Sequence, residues 1–165
     1  MKKPTERPFV ESFAEKAGLL KVKREKNARL VYLSGAVTND PHAKLKFDLA
    51  ELYLKSKGNK VINPLRINPI GTPWEDAIVT DLGIINQLKD ANVALLRLMR
   101  FTNEGIYLPV MVDIDPPSRQ FDSPGKRLEK GMAFGVIATI QMPSAWDKLL
   151  NDAINEKEKQ DAEKC

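Results

Sequence analysis

A chain of 165 residues, 42% hydrophobic and 29% charged, reads as one soluble globular domain of ordinary size, long enough to bury a core. The lone cysteine, Cys165, and the lone histidine, His42, exclude a disulfide framework, cysteine or histidine-cluster metal sites, and histidine-based catalytic triads. The net charge of +4 suits an anionic small substrate or a polyanionic partner, but equally a basic surface with no special role.

No apolar run reaches membrane-spanning length, and Met1-Lys2-Lys3-Pro4 does not lead into a signal-peptide segment. A cytoplasmic protein with no membrane partner is therefore expected. Residues 1–28 read as a helical and basic appendage. Phe9, Val10, Phe13, Ala14 and Ala17 make an apolar stripe at helical spacing that Gly18 stops, suited to packing on the domain or on a second subunit. Lys21, Lys23, Arg24, Lys26 and Arg29 follow without interleaved aromatics, so nucleic acid is not expected as a partner.

The α/β domain proper is expected over residues 29–165. Its first strand is Leu30-Val31-Tyr32-Leu33-Ser34, ended by Gly35. A loop to His42 leads into a helix with Leu45, Leu49, Leu52 and Tyr53 on one face, closed by Gly58. Lys60 to Asn63 makes a second strand ended by Pro64. Thr72-Pro73-Trp74-Glu75 opens a helix to about Lys89, with cap, proline and glutamate placed for a capping box. Val93 to Met99 is read as the third strand. Residues 100–122 then make an insertion or lid, whose apolar middle, Ile106 to Ile114, could also add a strand. Val136 to Ile140 is the fourth strand, and residues 143–165 hold a C-terminal helix. Alternating strands and helices point to a mainly parallel sheet covered on both faces, with ligands outside the carboxyl ends of the strands.

Four polar positions stand out against this pattern. Ser123-Pro124-Gly125 reads as the cap and first turn of a helix, whose exposed N–H groups suit an anion such as a phosphate. Lys126 and Arg127 add positive charge close by. Glu129, six residues after Ser123, shares a face with Met132, Ala133 and Val136. A carboxylate there is costly unless it does chemistry or finds a partner; the plain alternative is the edge of a buried stripe. Asp81 lies in the apolar stripe of the preceding helix, as an acceptor for loop N–H groups or as a chemical group. Two such carboxylates on consecutive helices suggest nucleophile and acid/base work at a sugar C1. Tyr32 aims at the same rim, either to hydrogen-bond a carboxylate or as a core aromatic with a polar tip.

In chain order, Tyr32-Leu33-Ser34-Gly35, Val61-Ile62-Asn63-Pro64, Trp74-Glu75-Asp76 with Asp81-Leu82, and Ser123-x-Gly125 with Glu129 and Ala133 resemble the nucleoside 2-deoxyribosyltransferase-like superfamily over about residues 29–141. That superfamily includes deoxyribosyltransferases and nucleoside 5′-monophosphate N-glycosidases. The resemblance implies a single three-layer domain of flavodoxin-like or Rossmann-like architecture. It implies that Glu129 attacks the anomeric carbon, that Asp81 supports the sugar and proton transfer, and that Tyr32 orients Glu129. Substrate contacts are expected from Ser34, Gly35, Thr38, Asn63, Ser123 and Gly125. Ser123 matches the monophosphate hydrolases, where transferases carry Asp. Asp122 beside it would restore the transferase pattern if the alignment slipped, with the spacing to Glu129 then seven. The loop Ala36 to Asp40 departs from the hydrolases in offering Thr38 and Asn39 but no arginine. The expected reaction is hydrolysis of a (deoxy)nucleoside 5′-monophosphate through a glycosyl-Glu129 intermediate, with no metal or organic cofactor. Base exchange by a deoxyribosyltransferase and a non-catalytic nucleotide-binding module are the alternatives. A homo-oligomer is expected, with the stripe around Phe9 and Phe13 as a contact surface.

Overall fold

The computed structural model describes residues 6–19, 29–98, 108–119, 121, 123–134 and 137–163. Four parallel strands, β1 (Arg29–Ser34), β2 (Lys60–Ile62), β3 (Leu108–Asp113) and β4 (Ala138–Gln141), lie in the order β2-β1-β3-β4. The helices are α1 (Glu6–Lys16), α2 (Ala43–Ser56), the single turn α3 (Pro64–Ile67), α4 (Trp74–Leu98), α5 (Pro124–Ala133) and α6 (Ala145–Glu163). The expected three-layer, Rossmann-like α/β domain is what the chain forms.

Strand alternation divides the core. Val31, Leu33, Val110 and Val112 point to one face, where they meet Leu45, Leu49 and Tyr53 of α2 and Trp146 and Leu150 of α6. Tyr32 and Met111, one residue out of phase, point to the other face, with Ile85 and Leu88 of α4 and Ala133 of α5. Both faces of the central strands are therefore buried, which explains their nearly unbroken apolar runs. The stripe of α1 is spent on this same domain: Val10 and Ala14 are buried in the α2/α6 layer, and Phe9 and Phe13 pack against it. That use of the stripe leaves it little scope as the expected contact surface between subunits. The basic run from Lys21 to Lys26 lies outside the described residues.

The third strand differs from expectation. Residues 93–98 continue α4, and the strand that pairs with both β1 and β4 is Leu108–Asp113, within the apolar middle of the 100–122 segment that the sequence allows as an added strand. The physical reason is visible in composition. Lys89-Asp90-Ala91-Asn92-Val93-Ala94-Leu95-Leu96-Arg97-Leu98 holds no glycine or proline to end α4 and is rich in helix formers, whereas Leu108-Pro109-Val110-Met111-Val112 is short, apolar and β-branched.

β1 connects outward to β2 on one side, while β3 lies on its other side, so the sheet order reverses between β1 and β3. The carboxyl ends of these two strands, Ser34 and Asp113, are adjacent in register. A crevice at such a reversal is where open parallel sheets bind ligands.

Candidate active site

Glu129 sits one helical turn into α5, on the face turned to the sheet, and is 5% exposed. Two side chains of β1 donate to it. Tyr32 Oη lies 2.5 Å from Oε2, and Ser34 Oγ lies 3.2 Å from Oε1. Both residues come from one strand on alternate sides of Leu33, so the hydroxyl of Tyr32 reaches Glu129 from under α5, and Ser34 reaches it from the strand end. Neither Tyr32 nor Ser34 borders the cavity; they hold Glu129 from behind. Burial, and then the charge of Asp81, push the Glu129 carboxyl up to about 7, against the pull of the Tyr32 and Ser34 hydrogen bonds and of Lys126. Burial, with Glu129 and Asp81 nearby, pushes the Tyr32 phenol far above its usual range, so it remains a donor.

Asp81, on α4, borders the same cavity of about 120 Å³ as Glu129. Burial pushes its carboxyl up to about 6, offset in part by nearby Asn68 and Tyr32. Among the described residues its Oδ1 is buried with no hydrogen-bond partner, and so is Nδ2 of Asn68, which borders the same cavity. A buried donor and a buried acceptor left unpaired cost roughly 1–3 kcal/mol each, which a ligand group that both accepts and donates would recover.

Ser123 is the N-cap of α5: its Oγ accepts from the Lys126 N–H at 3.2 Å, and Pro124 follows at the first helical position. Ser123 and Gly125 border the cavity, as do Gly35 and Thr38 of the loop after β1. Gly35 has a steric reason to be glycine. A Cβ there would stand 2.8 Å from Ile114 Cγ1 and 3.2 Å from Asp115 Oδ1. Asp122 lies outside the described residues.

Asn63 is not brought to the cavity. Its Oδ1 caps α3 by accepting from the Leu65 N–H at 3.0 Å, and its Nδ2 donates to Glu51 and Asp48. An Asn-Pro pair at a strand end is a helix-start signal in its own right, and here it serves that purpose. Thr72 does border the cavity, with its hydroxyl donating to the Pro69 carbonyl at 2.7 Å.

Lys126 borders the cavity, as expected, but its ammonium is buried between Asp115 Oδ2 at 2.8 Å and Asp113 Oδ1 at 2.9 Å. Burial works to lower its pKa, but these carboxylates outweigh it and leave the ammonium above its ordinary range. Asp115 in turn meets Lys46 of α2, which also reaches Asp40 and the Ala36 carbonyl, while Asp113 meets Lys130. Three lysines thus balance three aspartates beneath the cavity, tying the loop 35–40, the end of β3 and the first turns of α5 together. The sequence signal was a lysine, Lys46, on the stripe of α2 that buries Ala43, Ala50 and Tyr53.

Among the described residues no cluster of three or more His, Cys, Asp or Glu is arranged to hold a metal ion, and no helix is long and apolar enough to cross a membrane. A family model described as "Domain of unknown function (DUF4406)" matches residues 29–99. That range carries Tyr32, Ser34 and Asp81 but ends before Ser123 and Glu129. No curated protein and no solved structure matches the chain.

Proposed function

We propose that the protein is a nucleoside 5′-monophosphate N-glycosidase of the nucleoside 2-deoxyribosyltransferase-like type, acting on a nucleotide and releasing its free base. The observation that carries this is the buried Glu129 carboxylate, gripped by Tyr32 and Ser34 and facing a cavity it shares with Asp81. Two coupled carboxyls that titrate near neutrality hold about one proton between them at pH 6–7, giving one nucleophile and one acid. Even with the hydrogen bonds from Tyr32 and Ser34, the carboxyl of Glu129 stands above that of Asp81, so the free site keeps the proton on Glu129. The positive charge that develops on the bound sugar favours moving it to Asp81 and leaving Glu129 ionised.

In the first step a Glu129 oxygen bonds to C1′ as the N-glycosidic bond breaks. The bonding pair leaves on the base nitrogen, which takes a proton with Asp81 as its source. Water then attacks C1′, returns the Glu129 carboxylate, and passes its proton back to Asp81. Two inversions give net retention and a sugar 5-phosphate. Asn68 Nδ2 and Asp81 Oδ1 offer a donor and an acceptor for one substrate hydroxyl. Tyr32 and Ser34 act as positioning residues.

The 5′-phosphate is assigned to the first turn of α5, where Ser123 keeps its hydroxyl proton for donation and backbone N–H groups meet the anion. With Lys126 committed to Asp113 and Asp115, this preference rests on Ser123, the helix N-terminus and Thr38. The test compares matched nucleotides and nucleosides by chromatography of released base. Monophosphates should be cleaved about ten- to a hundredfold more efficiently, the worth of one charge-assisted hydrogen bond, and Ser123→Asp should reverse that order. Equal activity on both would reject the phosphate assignment. Transfer of the sugar to an added free base would move the protein to the deoxyribosyltransferases. We also propose that it acts in the cytoplasm as a homo-oligomer, for which Val79, Leu128 and Phe134, exposed on α4 and at and just beyond α5, are the supporting apolar surface.

A further inference from the structure

The cavity that holds Glu129 and Asp81 is small, about 120 Å³. Cavities that take whole ligands run to roughly 300–1,000 Å³. A second cavity, of about 430 Å³, adjoins it and shares the walls Thr38, Trp74 and Ser123. The second cavity lacks Glu129, Asp81 and Asn68 and adds Asn39 and Pro124, so it opens on the α5 N-terminal side of the site.

Trp74, the first residue of α4, stands between the two cavities. Its Nε1 lies 3.4 Å from where a Gly125 Cβ would be, and the side chain remains 45% exposed. A half-exposed indole lining that cavity has no use for a phosphate, which is served by N–H and hydroxyl donors. An indole face does suit a planar base, by stacking.

We propose that the second cavity is a subsite for a second nucleobase, linked through the 5′-phosphate of the nucleotide whose glycosidic bond faces Glu129, and stacked on Trp74. The orientation rests on the glycosidase reading above, with C1′ at Glu129 and the 5′-phosphate at Ser123. The ligand class is a dinucleotide. Its linkage is either a phosphodiester to a preceding nucleotide or a pyrophosphate to a second nucleoside.

The test is binding to the full chain carrying Glu129→Gln, which keeps ligands intact. Trp146 is 1% exposed, so of the two tryptophans the one a ligand can quench is Trp74. Fluorescence titration with a mononucleotide, a 5′-phosphorylated dinucleotide and a dinucleoside pyrophosphate separates the linkages. At least one dinucleotide should quench Trp74 and bind roughly 5- to 100-fold tighter than the mononucleotide, the range for one stacked base. By calorimetry that ratio should collapse toward one in Trp74→Ala and persist in Trp74→Phe. Dinucleotides that bind no tighter than the mononucleotide, or a preference that survives Trp74→Ala, would overturn the subsite. The glycosidase reading fails separately. Trp74-dependent dinucleotide preference without base release by the unmutated protein would support the subsite and remove the reaction.

Discussion

Replacing Glu129 by Gln should make the protein more stable at alkaline pH, and the size of that gain follows from burial. In the folded chain the carboxyl is raised from an ordinary 4.5 to about 7. The folded state therefore keeps a proton that the unfolded state releases as pH rises from 4.5 to about 7. Stability associated with Glu129 is fully present below about 4.5, is lost across that window, and is flat above it. The loss is roughly 3 kcal/mol by pH 8, of which under about 1 kcal/mol has already occurred at pH 5. Gln carries no such penalty and can still accept from Tyr32. The stability gap between variant and unmutated protein should widen in favour of the variant by roughly 2 kcal/mol from pH 5 to pH 8. For a domain of this length that is roughly 4–8 °C in Tm. Thermal melts followed by circular dichroism at the two pH values measure the gap. A gap that stays constant between pH 5 and pH 8 would show that Glu129 is not raised by burial, and the assignment of a poised carboxyl would fail.

Tyr32→Phe removes a donor that favours ionised Glu129, so the acidic limb of kcat/KM against pH should move to higher pH; an unmoved limb would deny Tyr32 its positioning role. Lys126→Met leaves Asp113 and Asp115 short of a cation in a buried network and should cost about 3 kcal/mol, read as a fall in Tm of roughly 6–12 °C; a shift under about 2 °C would show the network is solvated. Light scattering at micromolar concentration should give a mass above the 18.5 kDa of one chain, and a monomer would remove the proposed assembly.

Much of this site was legible in the sequence where its cause is local. Helical spacing placed Glu129 on the apolar face of α5, and Ser123-Pro124 marked that helix's start, because capping and periodicity act over a few residues. The first strand likewise pointed Tyr32 to the rim where it meets Glu129. What was not legible depends on distance along the chain. Lys46 and Asp115 meet across 69 positions, and nothing local to either announces the other. Asn68 carries no signal in the sequence, because an asparagine in a turn is ordinary; only burial of its amide without a partner among the described residues singles it out. The third strand was misplaced because a short apolar run fits a strand and a buried helix alike, and Val93 to Leu98 follows a helix with nothing to stop it. At Asn63 the local signal outweighs the resemblance, since its proline neighbour marks it as a cap.

The central claim is that Glu129 breaks an N-glycosidic bond. Incubating the unmutated protein and Glu129→Gln with the common ribo- and deoxyribonucleoside monophosphates, and quantifying free base by chromatography, tests it most directly. The unmutated protein should release base from at least one of them, and Glu129→Gln, still folded by circular dichroism, should be slower by orders of magnitude. Base release that is undiminished in Glu129→Gln, or none from any nucleotide by the unmutated protein, would contradict it.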